Sequence, residues 1–230
     1  MELILSRKRQ FRFILVITFI YIVIQIPVIF FDDINISRQL WLEHKNVTDL
    51  IESGKPAKSE LTPVIKMVSD NHFWVLRAGL LATIILAVYY KDKDADKYIL
   101  CRNISLSAIF ILIIASGLIT WILKIAVGRP RPYTKIYEYL PLAFSTRFQS
   151  FPSGHTTETF SYLIPYIYFI KSYTAGALLF LFGLLISSFR IFLSYHYITD
   201  VIFGIYITII VGYVICIYFD EKSKKQNKCA

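Results

Sequence analysis

Three short stretches of the chain combine cations, histidines and helix-capping residues in a pattern that suits an anionic substrate. They read KIAVGRPRP at 124–132, FPSGH at 151–155 and RIFLSYHYITD at 190–200. Arginine binds a phosphate through two parallel hydrogen bonds, and lysine acts as a point charge. A neutral histidine can attack phosphorus or move a proton. We therefore interpret the three stretches together as one candidate phosphate-handling site.

The first stretch places three cations at the end of a long apolar run. Pro130 and Pro132 fix the backbone there and prevent the helix from continuing. Cations at such a position often only extend towards lipid headgroups. A cluster braced by prolines favours instead a site that holds one anion, and its members are Lys124, Arg129 and Arg131.

The second stretch has the sequence of a helix start. Ser153 is a natural N-cap, and Gly154 leaves the backbone N–H groups approachable. The N-terminus of a helix binds anions, and His155 would lie in its first turn. The alternative is a plain helix cap with a histidine at the membrane interface.

The third stretch pairs a histidine with a carboxylate. His196 and Asp200 are four residues apart and would share one face of a helix. A lone carboxylate at the start of an apolar segment is expensive, so His196 is the expected partner of Asp200. A carboxylate on one ring nitrogen leaves the other nitrogen free as a nucleophile. The alternative is a structural His–Asp pair, and Arg190 lies close by in sequence.

The elements that carry these stretches are predicted to be membrane-spanning helices. The chain has 230 residues, 56% of them hydrophobic, and a mean hydropathy of +0.54, which is too apolar for a soluble domain of this size. Several runs approach the roughly 18–20 apolar residues needed to cross a bilayer. We predict an all-α, polytopic membrane protein, a single domain over 1–230 with six transmembrane helices in one bundle. The predicted spans are 11–31, 73–90, 105–127, 155–170, 174–194 and 200–219.

Charge sets the expected orientation of this bundle. The net charge is +9, and many cations lie in short segments between the apolar runs rather than on one soluble face, which disfavours a nucleic-acid partner. The positive-inside rule then places both termini in the cytoplasm and all three stretches on the outer face. No small-residue cleavage site follows the first apolar run, so we expect a retained helix and not a signal peptide.

Two further features complete the expected organisation. The extracytoplasmic loop 32–72 is long, and the spacing around Trp41 predicts an amphipathic helix that lies at the interface or covers the site as a lid. The three cysteines show no paired spacing, so neither a disulfide framework nor a zinc site is expected. They are Cys101, Cys216 and Cys229.

The three stretches resemble the signature of the type-2 phosphatidic acid phosphatase family, which shares a fold with vanadium haloperoxidases and bacterial acid phosphatases. The family pattern is K-x6-R-P, then P-S-G-H, then S-R-x5-H-x3-D. All three parts occur here in order within 124–204, and Gly204 matches a glycine common after the aspartate. One position departs from the pattern. Phe189 stands where serine is usual, and Ser188 is turned about 100° away on a helix.

The resemblance implies a role for each matching residue. His196 resembles the nucleophile that forms a phosphohistidine, Asp200 its orienting carboxylate, and His155 the acid that protonates the leaving oxygen. The implied phosphate-binding residues are Lys124, Arg131, Ser153, Gly154 through its backbone N–H, and Arg190. Arg129 is expected either behind these residues or facing lipid headgroups. Since side-chain cations supply the positive charge, neither a metal nor another cofactor is expected.

The expected function is an integral-membrane lipid phosphatase of lipid metabolism in the bacterial cell envelope. It would lie in the cytoplasmic (inner) membrane, with its site on the extracytoplasmic or periplasmic face and the bilayer as its partner. Candidate substrates are polyprenyl pyrophosphate, phosphatidylglycerophosphate, phosphatidate and lipid A. The alternatives are a phosphatase or phosphotransferase for soluble phosphate esters and a non-catalytic protein that binds lipid phosphates. The sequence carries no signal for an oligomeric state.

Overall fold

The computed structural model describes residues 12–23, 61–134, 136 and 138–229, which form helices joined by turns. No strand occurs among these residues, and the predicted all-α class is confirmed for them. The helices are α1 (Arg12–Val23), α2 (Leu61–Tyr90), α3 (Ala95–Ile111), α4 (Thr120–Val127), α5 (Gly154–Phe169), α6 (Tyr173–Phe192) and α7 (Ile198–Cys229). A π-helical segment, Leu112–Ile119, joins α3 to α4 without a break.

Four stretches of helix are long and apolar enough to cross a membrane. The remaining two helices are shorter: α1 is apolar over its described residues, and α5 has 16 residues. The predicted count of six spans is therefore not confirmed, although a helix covers part of every predicted position. The four long stretches are Thr62–Tyr90, Ala95–Thr134, Tyr173–Phe192 and Ile198–Gln226.

The boundary between the long loop and the second helix differs from the prediction. Helix α2 begins at Leu61, so residues 61–72 of the predicted loop 32–72 are helical. The polar residues of this segment, SDNH at 69–72, made it resemble a loop. The rest of the loop, including the predicted interfacial helix around Trp41, lies outside the described residues, and so do residues 1–11.

Helix α5 lies at the centre of the bundle although its sequence is relatively polar. It packs against α3, α6 and α7, and most of its side chains are buried. Three of its hydroxyl groups donate to carbonyls of its own backbone, for example Ser161 Oγ to Thr157 O at 2.7 Å, and others bond to neighbouring hydroxyls. A polar helix can therefore be buried without orphaned donors. The prediction that this segment packs inside the bundle is confirmed.

Small residues let the neighbouring helices approach α5 closely. A Cβ atom added at Gly183 of α6 would lie 2.7 Å from Phe160, and one at Gly212 of α7 would lie 2.8 Å from Ile164. Glycine at such contacts brings two helix backbones together, as in other membrane bundles. This close packing sets the positions of the ends of α6 and α7 around the N-terminus of α5.

Candidate active site

The three stretches singled out in the sequence meet at one end of the bundle, around the N-terminus of α5. The backbone N–H of Ser153 donates to Asp200 O at 3.0 Å, which joins the second stretch to the third. A Cβ added at Gly204 would lie 3.3 Å from Ser153 O, so any larger residue there would make this close approach of α7 tight. A Cβ added at Gly154 would lie 3.4 Å from Lys124 Cε, which brings in the first stretch.

Backbone carbonyls of the segment before α5 orient the cations of the first stretch. Lys124 Nζ donates to Gln149 O at 2.7 Å, and Arg131 Nε donates to Thr146 O at 3.0 Å. A carbonyl oxygen accepts one hydrogen bond from each side chain and leaves the remaining N–H groups available for an anion. The loop after α4 thus holds Lys124 and Arg131 ready to bind a phosphate.

The N-terminus of α5 supplies further donors. Ser153 is fully buried, and its Oγ accepts from the hydroxyl of Thr156 at 2.9 Å and from the Thr156 N–H at 3.4 Å. The N–H groups of the first turn have no acceptor within the helix. Because Lys124 lies next to Gly154, the helix N-terminus and an ammonium group face the same space.

His196 lies in the turn before α7 and is 1% exposed. Its Nδ1 is 2.7 Å from Ser150 O, so Nδ1 carries the proton and donates it to this carbonyl. The lone pair of Nε2 is therefore free. The N–H of His196 also donates to Arg190 O at 3.3 Å, which ties the histidine to the end of α6.

The surroundings of His196 keep its ring neutral. Burial lowers the pKa of His196 to about 3, and the nearby Lys124 and Arg131 cations act in the same direction. Asp200 opposes this shift but does not cancel it. A neutral imidazole with a free Nε2 is the form that can attack phosphorus.

Asp200 lies beside His196, as the sequence predicts, but the two side chains are not hydrogen-bonded. Its Oδ2 lies 3.6 Å from His196 Nδ1, too far for a hydrogen bond. The carboxylate instead accepts from Arg129 Nη1 at 2.7 Å, Ser150 Oγ at 2.5 Å and the Tyr197 N–H at 2.9 Å. The predicted shared helix face is wrong because His196 precedes α7, while Asp200 is its third residue and bonds back to Tyr197, as in a capping box.

Of the two positions expected for Arg129, the structure shows the one behind the phosphate-binding residues. Its side chain pairs with the fully buried Asp200, donates to Thr199 Oγ1 at 2.6 Å and lies 3.9 Å from the centre of the Tyr197 ring. Arg129 therefore neutralises the carboxylate beneath His196. Since Ser150 bonds to both Asp200 and His196, these contacts also fix the position of the histidine.

Helix α2 contributes residues that the sequence interpretation missed. Arg190 is 4% exposed, and its Nη1 donates to Ser69 Oγ at 3.0 Å and to Asp70 Oδ1 at 2.9 Å. Its guanidinium carbon lies 4.5 Å from the centre of the Tyr195 ring. The signal available in the sequence was a group of polar residues at the start of an apolar run, which looked like the end of a loop.

The contacts of Arg190 explain in part the departure from the family pattern, in which Phe189 stands where serine is usual. Ser188 is exposed and its hydroxyl donates to Leu185 O at 2.7 Å, so it points away from the site. Phe189 is half-buried and carries no hydroxyl. The hydroxyl beside Arg190 comes instead from Ser69 of α2.

His155 lies between α2 and the cations. Its ring centre is 5.2 Å from that of Phe73, and it is within electrostatic range of Arg190, Arg131 and His196. His72, which the sequence interpretation did not select, lies 2.8 Å from Thr159 Oγ1 and connects α2 to α5 one turn below His155. The other ring nitrogen of His72, Nδ1, lies 2.9 Å from Ser69 O within α2.

The arrangement as a whole can bind a tetrahedral anion beside a nucleophilic nitrogen. Three cations and a helix N-terminus supply donors from different directions, and the neutral His196 lies among them. A second histidine, His155, lies within electrostatic range of His196. These are the parts that nucleophilic substitution at phosphorus requires. The predicted residues that the structure brings together are Lys124, Arg131, Ser153, Gly154, His155, Arg190, His196 and Asp200.

Comparison with known proteins gives matches that overlap this site. The model of the PAP2 superfamily matches residues 105–224, more than half of the chain. Undecaprenyl-diphosphatase BcrC from Bacillus subtilis is 28% identical over 136 residues, which cover 58% of this chain and 64% of the relative. Lipid A 1-phosphatase from Rhizobium johnstonii is 29% identical over 101 residues, 42% of this chain and 41% of the relative. The matches thus span less than two thirds of either relative, and no solved structure matches the chain.

Proposed function

The chain belongs to the PAP2 superfamily, and from this premise we propose that it is an integral-membrane phosphatase acting on the phosphate of a membrane lipid. The observation that carries the proposal is the buried His196, whose Nδ1 is committed to Ser150 O and whose Nε2 is free. It lies beside Lys124 and Arg131, at the end of the bundle where the spanning helices stop. A lipid phosphate can reach this depth while its tails stay in the bilayer.

In the first step, Nε2 of His196 attacks phosphorus and the bond from phosphorus to the leaving oxygen breaks. His155, in its protonated form, gives its proton to that oxygen. Burial and the neighbouring cations disfavour this protonated form, and a phosphate dianion bound among the cations opposes them because an opposite charge nearby stabilises it. The product is a phosphohistidine and a dephosphorylated lipid.

In the second step, water attacks the phosphohistidine and His155, now neutral, takes a proton from it. The bond between phosphorus and Nε2 breaks, and inorganic phosphate leaves. Lys124, Arg131 and Arg190 and the N–H groups at the start of α5 stabilise the charge that builds up on the phosphoryl oxygens. Because these groups supply the positive charge, we expect activity to be independent of added metal and to survive EDTA.

The substrate is proposed to be a phosphorylated lipid of the bacterial envelope. One relative is named for action on undecaprenyl diphosphate and the other for action on a lipid A phosphate. A diphosphate or phosphate of a polyprenyl lipid or lipid A is therefore favoured over phosphatidylglycerophosphate and phosphatidate. The proposed location is the bacterial cytoplasmic membrane, with both termini in the cytoplasm and the site on the extracytoplasmic face.

Turnover of a lipid panel by purified protein tests this function. The panel contains polyprenyl diphosphate, lipid A, phosphatidylglycerophosphate, phosphatidate and a headgroup-only ester, each with and without EDTA. Release of phosphate should be much more efficient from a long-chain lipid than from the headgroup ester. Equal efficiency on both would favour the soluble-ester alternative, and binding without turnover would favour the non-catalytic one.

The nucleophile and the orientation have separate tests. His196→Ala should abolish both turnover and the acid-labile phosphoenzyme trapped from a labelled lipid, and retention of either would refute the proposed mechanism. A cysteine placed next to Pro132 should react with an impermeant thiol reagent in spheroplasts, whereas one in the turn 91–94 should not. The reverse labelling pattern would invert the proposed orientation.

A further inference from the structure

Arg190 is held from outside the sequence motif, by the start of α2. Ser69 and Asp70 both bond to its Nη1, at 3.0 and 2.9 Å. Arg190 lies 121 and 120 positions after these two residues in the chain, and α2 packs against α6 along this contact. The contact therefore depends on the placement of α2 rather than on the local structure of α6.

The contact leaves one edge of the guanidinium group open. Arg190 Nε is buried and has no hydrogen-bond partner among the residues that the structure describes. Nε and Nη2 form the edge opposite to the Nη1 corner, and such an edge binds two oxygens of one phosphate. A buried donor without an acceptor is costly, and a bound phosphate oxygen would remove that cost.

Asp70 also sets the charge around Arg190. Its carboxylate forms an ion pair with the guanidinium, and its own side chain is 43% exposed. A phosphate bound at the open edge would lie on the order of 6 Å from this carboxylate, close enough for repulsion to weaken binding several-fold in a partly solvated site. The same contact that orients Arg190 therefore opposes tight binding of phosphate.

We propose that Asp70 is a positioning residue that turns the open edge of Arg190 towards the substrate phosphate and lowers the affinity of the site for the phosphate product. Ser69 supplies the second, uncharged contact to the same nitrogen. The inference rests on the proposed phosphatase function. It adds that a carboxylate from α2 makes release of phosphate faster.

Replacement of the carboxylate by an amide separates charge from position. Asp70→Asn keeps an oxygen that can accept from Nη1 but removes the negative charge. Inorganic phosphate and vanadate should then bind about fivefold more tightly, with a lower KM and a lower kcat because product leaves more slowly. Asp70→Ala removes both the negative charge and the hydrogen-bond acceptor, and it should raise KM instead, since Arg190 loses its fixed orientation.

Asp70→Glu and Asp94→Asn are the matched controls. Asp70→Glu keeps the charge and should bind phosphate as the unmodified protein does, and it also serves if the asparagine variant fails to fold. Asp94 caps α3 at the other end of α2, and asparagine caps a helix equally well. Asp94→Asn therefore makes the same charge change without altering phosphate affinity.

Direct measurement of phosphate and vanadate binding keeps this test distinct from the function itself. If the purified protein turns over no lipid, the proposed function fails, while the comparison of phosphate affinities can still be made. If Asp70→Asn binds phosphate no more tightly than the unmodified protein, or if Asp70→Glu binds it as tightly as Asp70→Asn, the inference about Asp70 is overturned.

Discussion

The buried ion pair between Arg129 and Asp200 should be a main determinant of stability at this end of the bundle. Asp200 is fully buried, and Arg129 is 11% exposed. Arg129→Met removes the cation while keeping an apolar stem of similar length. Among the residues that the structure describes, Ser150 Oγ and the Tyr197 N–H would still donate hydrogen bonds to the carboxylate.

Removal of one member of a buried ion pair costs about 3–5 kcal/mol, because the other charge stays buried without compensation. For a chain of about this size, 1 kcal/mol shifts Tm by roughly 2–4 °C. Arg129→Met should therefore lower the apparent Tm by roughly 10 °C. Arg129→Met combined with Asp200→Asn should recover much of this loss, since no unpaired charge remains.

Thermal unfolding of the four proteins in one detergent, arranged as a double-mutant cycle, measures this coupling. Arg77→Met is the matched control, because Arg77 pairs with Glu158 while its side chain is 52% exposed. An exposed pair contributes about 0–1 kcal/mol, so the control should lose at most a few degrees. A loss for Arg129→Met no larger than the control, or additive losses in the double variant, would refute the reasoning.

Three further predictions concern chemistry and packing. Burial lowers the pKa of His196 to about 3, so the nucleophile stays neutral between pH 7 and 5. The rate of phosphoenzyme formation, measured by rapid quench, should therefore not decrease over this range because of protonation of His196. A histidine with an ordinary pKa would lose about 25-fold of its neutral form over this range, so a loss of rate of that size contradicts the burial argument. His155→Ala should slow turnover of a lipid ester by about 10²–10⁴-fold but affect an aryl phosphate far less, since a good leaving group needs no acid, and equal losses on both would exclude the acid role. Gly204→Val should push α7 away from Ser153 and reduce activity at least tenfold. Gly79→Val should keep activity, because an added Cβ there meets nothing within 4 Å. Equal activities of the two variants would mean that the close approach of α7 to Ser153 is unimportant.

The parts of the site that the sequence predicts are those encoded by local spacing. A serine before a polar helix predicts the cap that Ser153 forms, and proline after a cation predicts the end of α4 before Arg131. The all-helical class follows in the same way from long apolar runs. In each of these cases the physical cause lies within a few residues of its effect.

The parts that the sequence does not predict depend on contacts between distant segments. Arg129 and Asp200 are 71 positions apart, and Asp70 and Arg190 are 120 apart. The four-residue spacing of His196 and Asp200 predicts proximity, but it does not predict which groups compete for the carboxylate. Arg129 and Ser150, which come from distant segments, donate hydrogen bonds to this carboxylate, and no periodicity in the sequence predicts these contacts.

The π-helical segment Leu112–Ile119 has a consequence for how this site can change. The Thr120 hydroxyl donates to Ala115 O, five residues back, at 2.7 Å, so the wider turn continues up to the start of α4. A π-helical turn holds one residue more than the α-helical turn that it replaces. Deletion of a single residue there would remove the extra residue and leave Lys124 close to its present orientation, whereas deletion of one residue from α3 would rotate Lys124 by about 100°. Loss of one residue from α3, far from any catalytic group, would thus carry the ammonium group out of the site, whereas the π-helical segment can lose one residue and keep it there.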